Sequence, residues 1–139
     1  MINKRILLIY TGGTIGMIKD MEKNTLVPFN FDELLKAIPE LKSEDVDLDT
    51  ISIANPIDSS NMNPTVWAEI ALLIEENYKN YDGFVILHGS DTMAYTASAL
   101  SFMLEGLSKA VILTGSQIPI GARRSDAKEN LITAVEIAT

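Results

Sequence analysis

Four short stretches concentrate side chains able to do chemistry: "TGGTIG" (11–16), "NPIDSSNM" (55–62), "HGSDTM" (88–93) and "TGSQIP" (114–119). Each supplies hydroxyls, and two supply an acid, Asp58 and Asp91. Thr11 and Thr14 flank Gly12 and Gly13, so a hydroxyl nucleophile held in a glycine turn is one reading. A strand-to-helix turn with a capping threonine is the other. Glycine at 12, 13 and 16 does not fit G-x-G-x-x-G, and no G-K-[ST] follows, so the dinucleotide fingerprint and the P-loop are both absent here. His88, Ser90 and Asp91 lie too close along one strand end to form a Ser-His-Asp relay, which needs the acid behind the imidazole. The simpler expectation for His88 is a bond to a backbone carbonyl. Ser90 or Asp91 is expected to cap the helix that follows, where a carboxylate is favoured by the helix dipole and well placed to bind an ammonium.

The elements that must position these stretches alternate. "RILLIY" (5–10), "DTISIA" (49–54), "GFVILH" (83–88) and "KAVILT" (109–114) read as strands, three of them built on a continuous apolar run, as for strands buried on both faces. Helical patterns occupy 31–38, 63–81, 91–107 and 125–139. Asn63 with Pro64, and Ser125, are the expected N-terminal signals, and Gly106 a C-terminal one. Val66, Ile70 and Leu73 mark one buried stripe, and Leu131, Val135 and Ala138 another. Residues 17–30 read as a polar loop able to act as a lid. This alternation predicts an α/β fold, a parallel twisted sheet flanked by helices. In such sheets ligands sit beyond the carboxyl ends of the strands, where all four stretches fall.

Bulk properties narrow the function. The 139 residues carry a net charge of −8, which disfavours nucleic acid and an anionic membrane face. No apolar run approaches a membrane span, and "ILLIY" is too short for a signal peptide. One histidine and no cysteine leave no plausible zinc site and no disulfide framework. Aromatic residues make up 6%, too few for a sugar-binding platform, so Trp67 is expected in the core. Arg123 and Arg124 are expected to pair with Asp126 and Glu129.

Together "TGGTIG", "DSS", "HGSDTM" and "TGSQIP…RSDAKENL" resemble, in order and spacing, the N-terminal domain of bacterial-type L-asparaginases of the cytosolic type I branch. The resemblance implies hydrolysis of L-asparagine to L-aspartate and ammonia, in the cytoplasm, without metal or organic cofactor, by a homo-oligomer (dimer or tetramer). It implies that Thr14 attacks the side-chain amide and forms an acyl-enzyme. Ser90 matches a family threonine that helps activate water or the nucleophile, Asp91 the carboxylate that holds the α-ammonium, and Asp58, Ser59 and Ser60 the segment that grips the amino-acid head. Backbone N–H groups around Gly12, Gly89 and Ser90 are the implied oxyanion donors.

Three departures stand out. Serine replaces the family threonine at position 90. No tyrosine occurs in 17–30, where Leu26 takes the place of the family's lid tyrosine. The family's catalytic lysine and second domain would lie beyond Thr139, so the expectation is a truncated N-terminal domain of a two-domain enzyme, inactive alone. The alternatives are an amidase acting on glutamine or another amide, including one on aminoacyl-tRNA, a non-catalytic amino-acid-binding module, and a phosphate-binding domain.

Overall fold

In the computed structural model, residues 3–20, 22, 25–28, 38–41 and 45–139 are described. Six strands and three helices of four residues or more appear among them: β1 (Lys4–Tyr10), β2 (Met17–Asp20), β3 (Thr25–Pro28), β4 (Val46–Ser52), α1 (Pro64–Asn77), β5 (Gly83–Leu87), α2 (Met93–Met103), β6 (Val111–Thr114) and α3 (Ala127–Ala138). Four strands form one parallel sheet in the order β4-β1-β5-β6. The expected α/β architecture is therefore present. The chain goes from β1 to a neighbour on one side, then crosses to the other, so strand order reverses around β1. That reversal opens a crevice at the carboxyl ends of β1 and β5.

Alternation along β1 and β5 divides the core. Ile6, Leu8, Tyr10, Val85 and Leu87 face α3 and its Leu131, Ala134, Val135 and Ala138. Leu7, Ile9, Phe84 and Ile86 face α1 and α2 through Ile70, Ile74 and Leu100. Complete burial of each such aliphatic side chain is worth about 1.5–3 kcal/mol relative to exposure. The predicted α3 stripe is buried as expected. On α1 the fully buried pair is Ile70 and Ile74, with Val66 and Leu73 packed at its margin.

Helix ends follow local chemistry. The Asn63 side-chain oxygen accepts the N–H groups of Thr65 at 3.0 Å and Val66 at 3.4 Å, and Pro64 occupies the first turn. At the far end Lys109 donates to the carbonyls of Tyr78 and Tyr81, the latter at 2.6 Å. These bonds help close α1 at Asn77, four residues before the expected end. Helix α2 starts two residues later than expected and stops at Met103, ahead of Gly106 with φ of 67°. The N-cap position of α3 is Asp126 and not Ser125 as expected, although the Ser125 hydroxyl, one residue earlier, accepts the N–H of Ala127 at 3.0 Å.

Two boundaries differ more. Within the loop expected at 17–30, the described residues include two strands: β2 and β3 pair antiparallel, Met17 opposite Pro28 and Lys19 opposite Leu26. The strand expected at 49–54 begins at Val46, because β1 offers a partner along its whole length, Lys4 opposite Val46 through Tyr10 opposite Ser52. The acids that disguise it, Asp47 and Asp49, sit on an edge strand, where Asp49 takes a 2.8 Å ion pair from Arg5. The helix expected at 31–38 lies outside the described residues, apart from Ile38.

Candidate active site

The crevice is framed by backbone in contact with backbone. Gly13, at φ of 86°, lies so close to the β5 loop that a Cβ there would stand 2.5 Å from the Gly89 nitrogen. Gly89 in turn covers the β4 loop, and a Cβ on it would stand 2.5 Å from the Ser59 hydroxyl oxygen. Only glycine permits such approaches. Thr11 completes the frame: it is buried, its N–H and hydroxyl both donate to the Leu87 carbonyl at 3.0 and 2.9 Å, and its carbonyl accepts the Ile57 N–H. The two threonines of "TGGT" thus have different duties. Thr11 stitches β1 to its neighbours, and Thr14 is left at the mouth.

A cavity of about 390 Å³ opens there, lined by Thr14, Asp58, Ser59, Ser90 and Asp91 among others, with Gly12, Gly13 and Gly89 as its backbone wall. The structure therefore brings together Thr14, Asp58, Ser59, Ser90 and Asp91 with Gly12 and Gly89, while Ser60, Thr11 and His88 are absent from the lining. Ser60 donates both its N–H and its hydroxyl to Asp58 Oδ1, at 2.9 and 2.8 Å. These bonds hold the Asp58 carboxyl below its ordinary value, the backbone N–H contributing most. By contrast, the side chains of Thr14, Ser90 and Asp91 have no intramolecular hydrogen-bond partner among the described residues. Two free hydroxyls and a free carboxylate facing one small cavity suit an uncharged or cationic polar ligand.

His88 is fully buried and does not face Ser90. Its Nδ1 lies 2.6 Å from the Gly89 carbonyl, the bond expected for it, and its Nε2 lies 2.8 Å from the Thr96 hydroxyl. Burial pushes the imidazole below its ordinary value, outweighing the opposing pull of the carbonyl. A Ser-His-Asp relay is excluded by this placement. Nor is Ser90 or Asp91 the helix cap: the position belongs to Thr92, whose hydroxyl instead donates to the Ser59 carbonyl at 2.7 Å.

Gln117 and Tyr10 also line the cavity and are not among the candidates read from the sequence. The signal for Gln117 was its place just after β6. Tyr10 hides as a strand residue, its ring packed so tightly under Gly16 that a Cβ there would stand 2.3 Å from it. Asp126 accepts the N–H groups of Gln117 and Ile118, both at 3.0 Å, and Gln117's bond is the chief reason its carboxyl lies below the ordinary value. That corrects the expected surface pairing: Asp126 serves two backbone amides, and neither Arg123 nor Arg124 forms an ion pair among the described residues. Trp67 is half-buried between α1 and α2, with its indole bonded to Thr96 at 3.0 Å.

A larger cavity of about 630 Å³ lies between α1 and α2, lined by Leu72, Met103 and Leu107 with Glu75, Lys79 and Glu105. It holds no arrangement of nucleophile and uncommitted acid like that of the strand ends, so the smaller cavity is the chemical candidate. Among the described residues no group of three or more His, Asp or Glu is placed to hold a metal ion, and no helix is long and apolar enough to cross a membrane.

Comparison with known proteins agrees with this geometry. A family model described as asparaginase, N-terminal, matches residues 5–139. L-asparaginase 1 of Escherichia coli is 50% identical over 136 residues, 97% of this chain and 40% of that protein. A glutamyl-tRNA(Gln) amidotransferase component from Pyrococcus horikoshii is 42% identical over 136 residues, 96% of this chain and 31% of that one. The crystal structure of L-asparaginase I from Vibrio cholerae superimposes with a TM-score of 0.87 at 48% identity, covering 98% of this chain and 41% of that one. The chain thus spans about 40% of the length of its L-asparaginase relative. With the family match running through all four strand-end stretches, the chain belongs to the asparaginase family and corresponds to its N-terminal part.

Proposed function

We propose that the protein of which these residues form the N-terminal part hydrolyses L-asparagine to L-aspartate and ammonia. One observation carries the reading: Thr14, Ser90 and Asp91 line one small cavity with their side chains uncommitted. In the proposed reaction the Thr14 hydroxyl attacks the side-chain amide carbon, its proton leaves with the departing ammonia, and water then releases aspartate from the acyl-threonine. Asp91 holds the α-ammonium, and Asp58 and Ser59 grip the amino-acid head. Ser60 acts indirectly, by fixing Asp58. Ser90 orients the hydrolytic water or the nucleophile. The backbone N–H groups of Gly12, Gly89 and Ser90 find no protein acceptor among the described residues, which supports their proposed role toward a developing oxyanion. The proposal includes a cytoplasmic homo-oligomer needing no cofactor.

The similarity to an amidotransferase component favours one second reading, an amidase on glutamine or on an amide carried by aminoacyl-tRNA. Ammonia release from asparagine, glutamine and amidated tRNA, measured on the complete protein and on its Thr14→Ala variant, tests both. Asparagine turnover that the variant loses is the expected result. A variant working at full rate would remove Thr14 from the mechanism, and preference for another amide would replace the substrate.

A further inference from the structure

Behind the cavity wall, a half-buried indole and two fully buried polar side chains on different elements touch in series. Trp67 on α1 meets Thr96 on α2 at 3.0 Å, Thr96 meets His88 at 2.8 Å, and His88 meets the Gly89 carbonyl at 2.6 Å. Elementary donor rules fix the direction of every bond. An indole N–H only donates, so the Thr96 oxygen accepts from Trp67. A carbonyl only accepts, so the proton on His88 stands at Nδ1. A neutral imidazole then has a bare Nε2, which accepts the Thr96 hydroxyl proton. The opposite tautomer would set the lone pair of Nδ1 against the carbonyl oxygen at 2.6 Å. His88 and Thr96 are both 0% exposed, so no water competes for these atoms.

We infer that Trp67, Thr96 and His88 form a one-way relay that positions the peptide between Gly89 and Ser90, and so sets where Ser90 presents itself in the cavity. The peptide unit is planar. Holding the Gly89 oxygen inward against the imidazole therefore directs the Ser90 N–H the opposite way, away from the buried ring. Gly89 has no side chain to anchor it, and the space above it is taken by Ser59. The relay is the polar tie that holds this carbonyl, and it joins the site to both helices on that face of the sheet. The three are positioning residues, since none of them lines the cavity. Only the catalytic consequence rests on the asparaginase reading.

The test uses the complete protein labelled with ¹⁵N-histidine, the His88→Gln spectrum assigning the ring. The expected result is a neutral imidazole protonated at Nδ1 at neutral pH. Thr96→Val, which keeps the shape and removes the hydroxyl, is expected to shift the Ser90 amide resonance. It should also lower kcat on asparagine by on the order of tenfold to a hundredfold. Thr96→Ser should restore most of both. Should the valine variant fail to fold, Trp67→Phe removes the first donor and is expected to move the Ser90 amide in the same direction by less. An Nε2-protonated ring, or a Ser90 amide unmoved by either substitution, overturns the relay. If the parent protein releases no ammonia from asparagine while tautomer and amide shift are as expected, the asparaginase reading falls and the relay stands.

Discussion

The carboxylate of Asp126 accepts the backbone N–H of Gln117 at 3.0 Å, so a residue at the start of α3 sets the position of one in the cavity wall. Asn130 reinforces the join by donating to the Gly115 carbonyl at 2.9 Å. Replacing Asp126 by Ala should free both amides it serves. Their hydrogen exchange is expected to quicken by about tenfold or more, as for loss of a charge-assisted bond, with Asp126→Asn falling between. Unchanged exchange at Gln117 would show that the loop is held by other contacts.

The glycine frame makes a second prediction. Gly13→Ala places a Cβ against the Gly89 backbone at a φ of 86°, and neither can yield. Gly89→Ala meets the Ser59 hydroxyl oxygen at 2.5 Å, which rotation can relieve, and the Ser59 Cβ at 2.7 Å, which only a shift of that loop can relieve. Urea unfolding should show a loss of about 3 kcal/mol or more for the first and about 1–3 for the second.

Asp91 and Asp58 are separable. Asp91 is free of partners among the described residues, so Asp91→Asn should leave the melting temperature close to that of the parent and lower kcat/KM for asparagine on the order of a hundredfold, with KM rising. Asp58 is tied to Ser60, so Asp58→Asn should also loosen its turn, seen as faster exchange of the Ser60 amide. Equal effects of the two substitutions on kcat/KM and exchange would contradict this division.

Loss of stability between about pH 8 and 5, above the range where the Asp58 and Asp126 carboxylates take up protons, should trace to His88. Its pKa is lowered in the folded state, so the unfolded chain binds the extra proton first. Stability from this group is full above its ordinary value near 6.5 and is lost as pH falls from there toward the folded value. The slope for one proton is at most about 1.4 kcal/mol per pH unit. Denaturant titrations between about pH 5 and 8 should show that slope in the parent and a flatter one in His88→Gln.

Core truncation supplies a calibration away from the site. Leu131 is 0% exposed on the α3 face, and Leu131→Ala should cost about 2–5 kcal/mol by calorimetry while leaving KM for asparagine nearly unchanged.

Much of the architecture was legible because apolar runs such as "RILLIY" and "GFVILH" can hide only inside a two-faced sheet. The strand-end rule then led to the four stretches without coordinates, and the family resemblance picked out Thr14, Ser90 and Asp91 within them. Periodicity failed where tertiary partners decided the matter. Val46–Ser52 carries two acids in a row of alternating residues and becomes a strand because β1 offers it a full register. The pairing of β2 with β3, from Met17 opposite Pro28 to Asp20 opposite Thr25, is not announced by any strong periodicity in the sequence. The roles of Thr96 and Trp67 were hidden for a different reason: both look like ordinary residues on amphipathic helices until the helices are packed side by side.

Contact between Gly13, Gly89 and the Ser59 side of the crevice gives the cavity one wall of main chain, from which the other lining side chains are set apart. A serine stands at position 90 where the family resemblance leads one to expect threonine, and nothing in the frame depends on which of the two is there. Selection can therefore revise what the mouth accepts by exchanging the side chains that project from it, while the scaffold around them tolerates almost no revision at its glycines. The line between what can be exchanged and what cannot runs between Gly89 and Ser90.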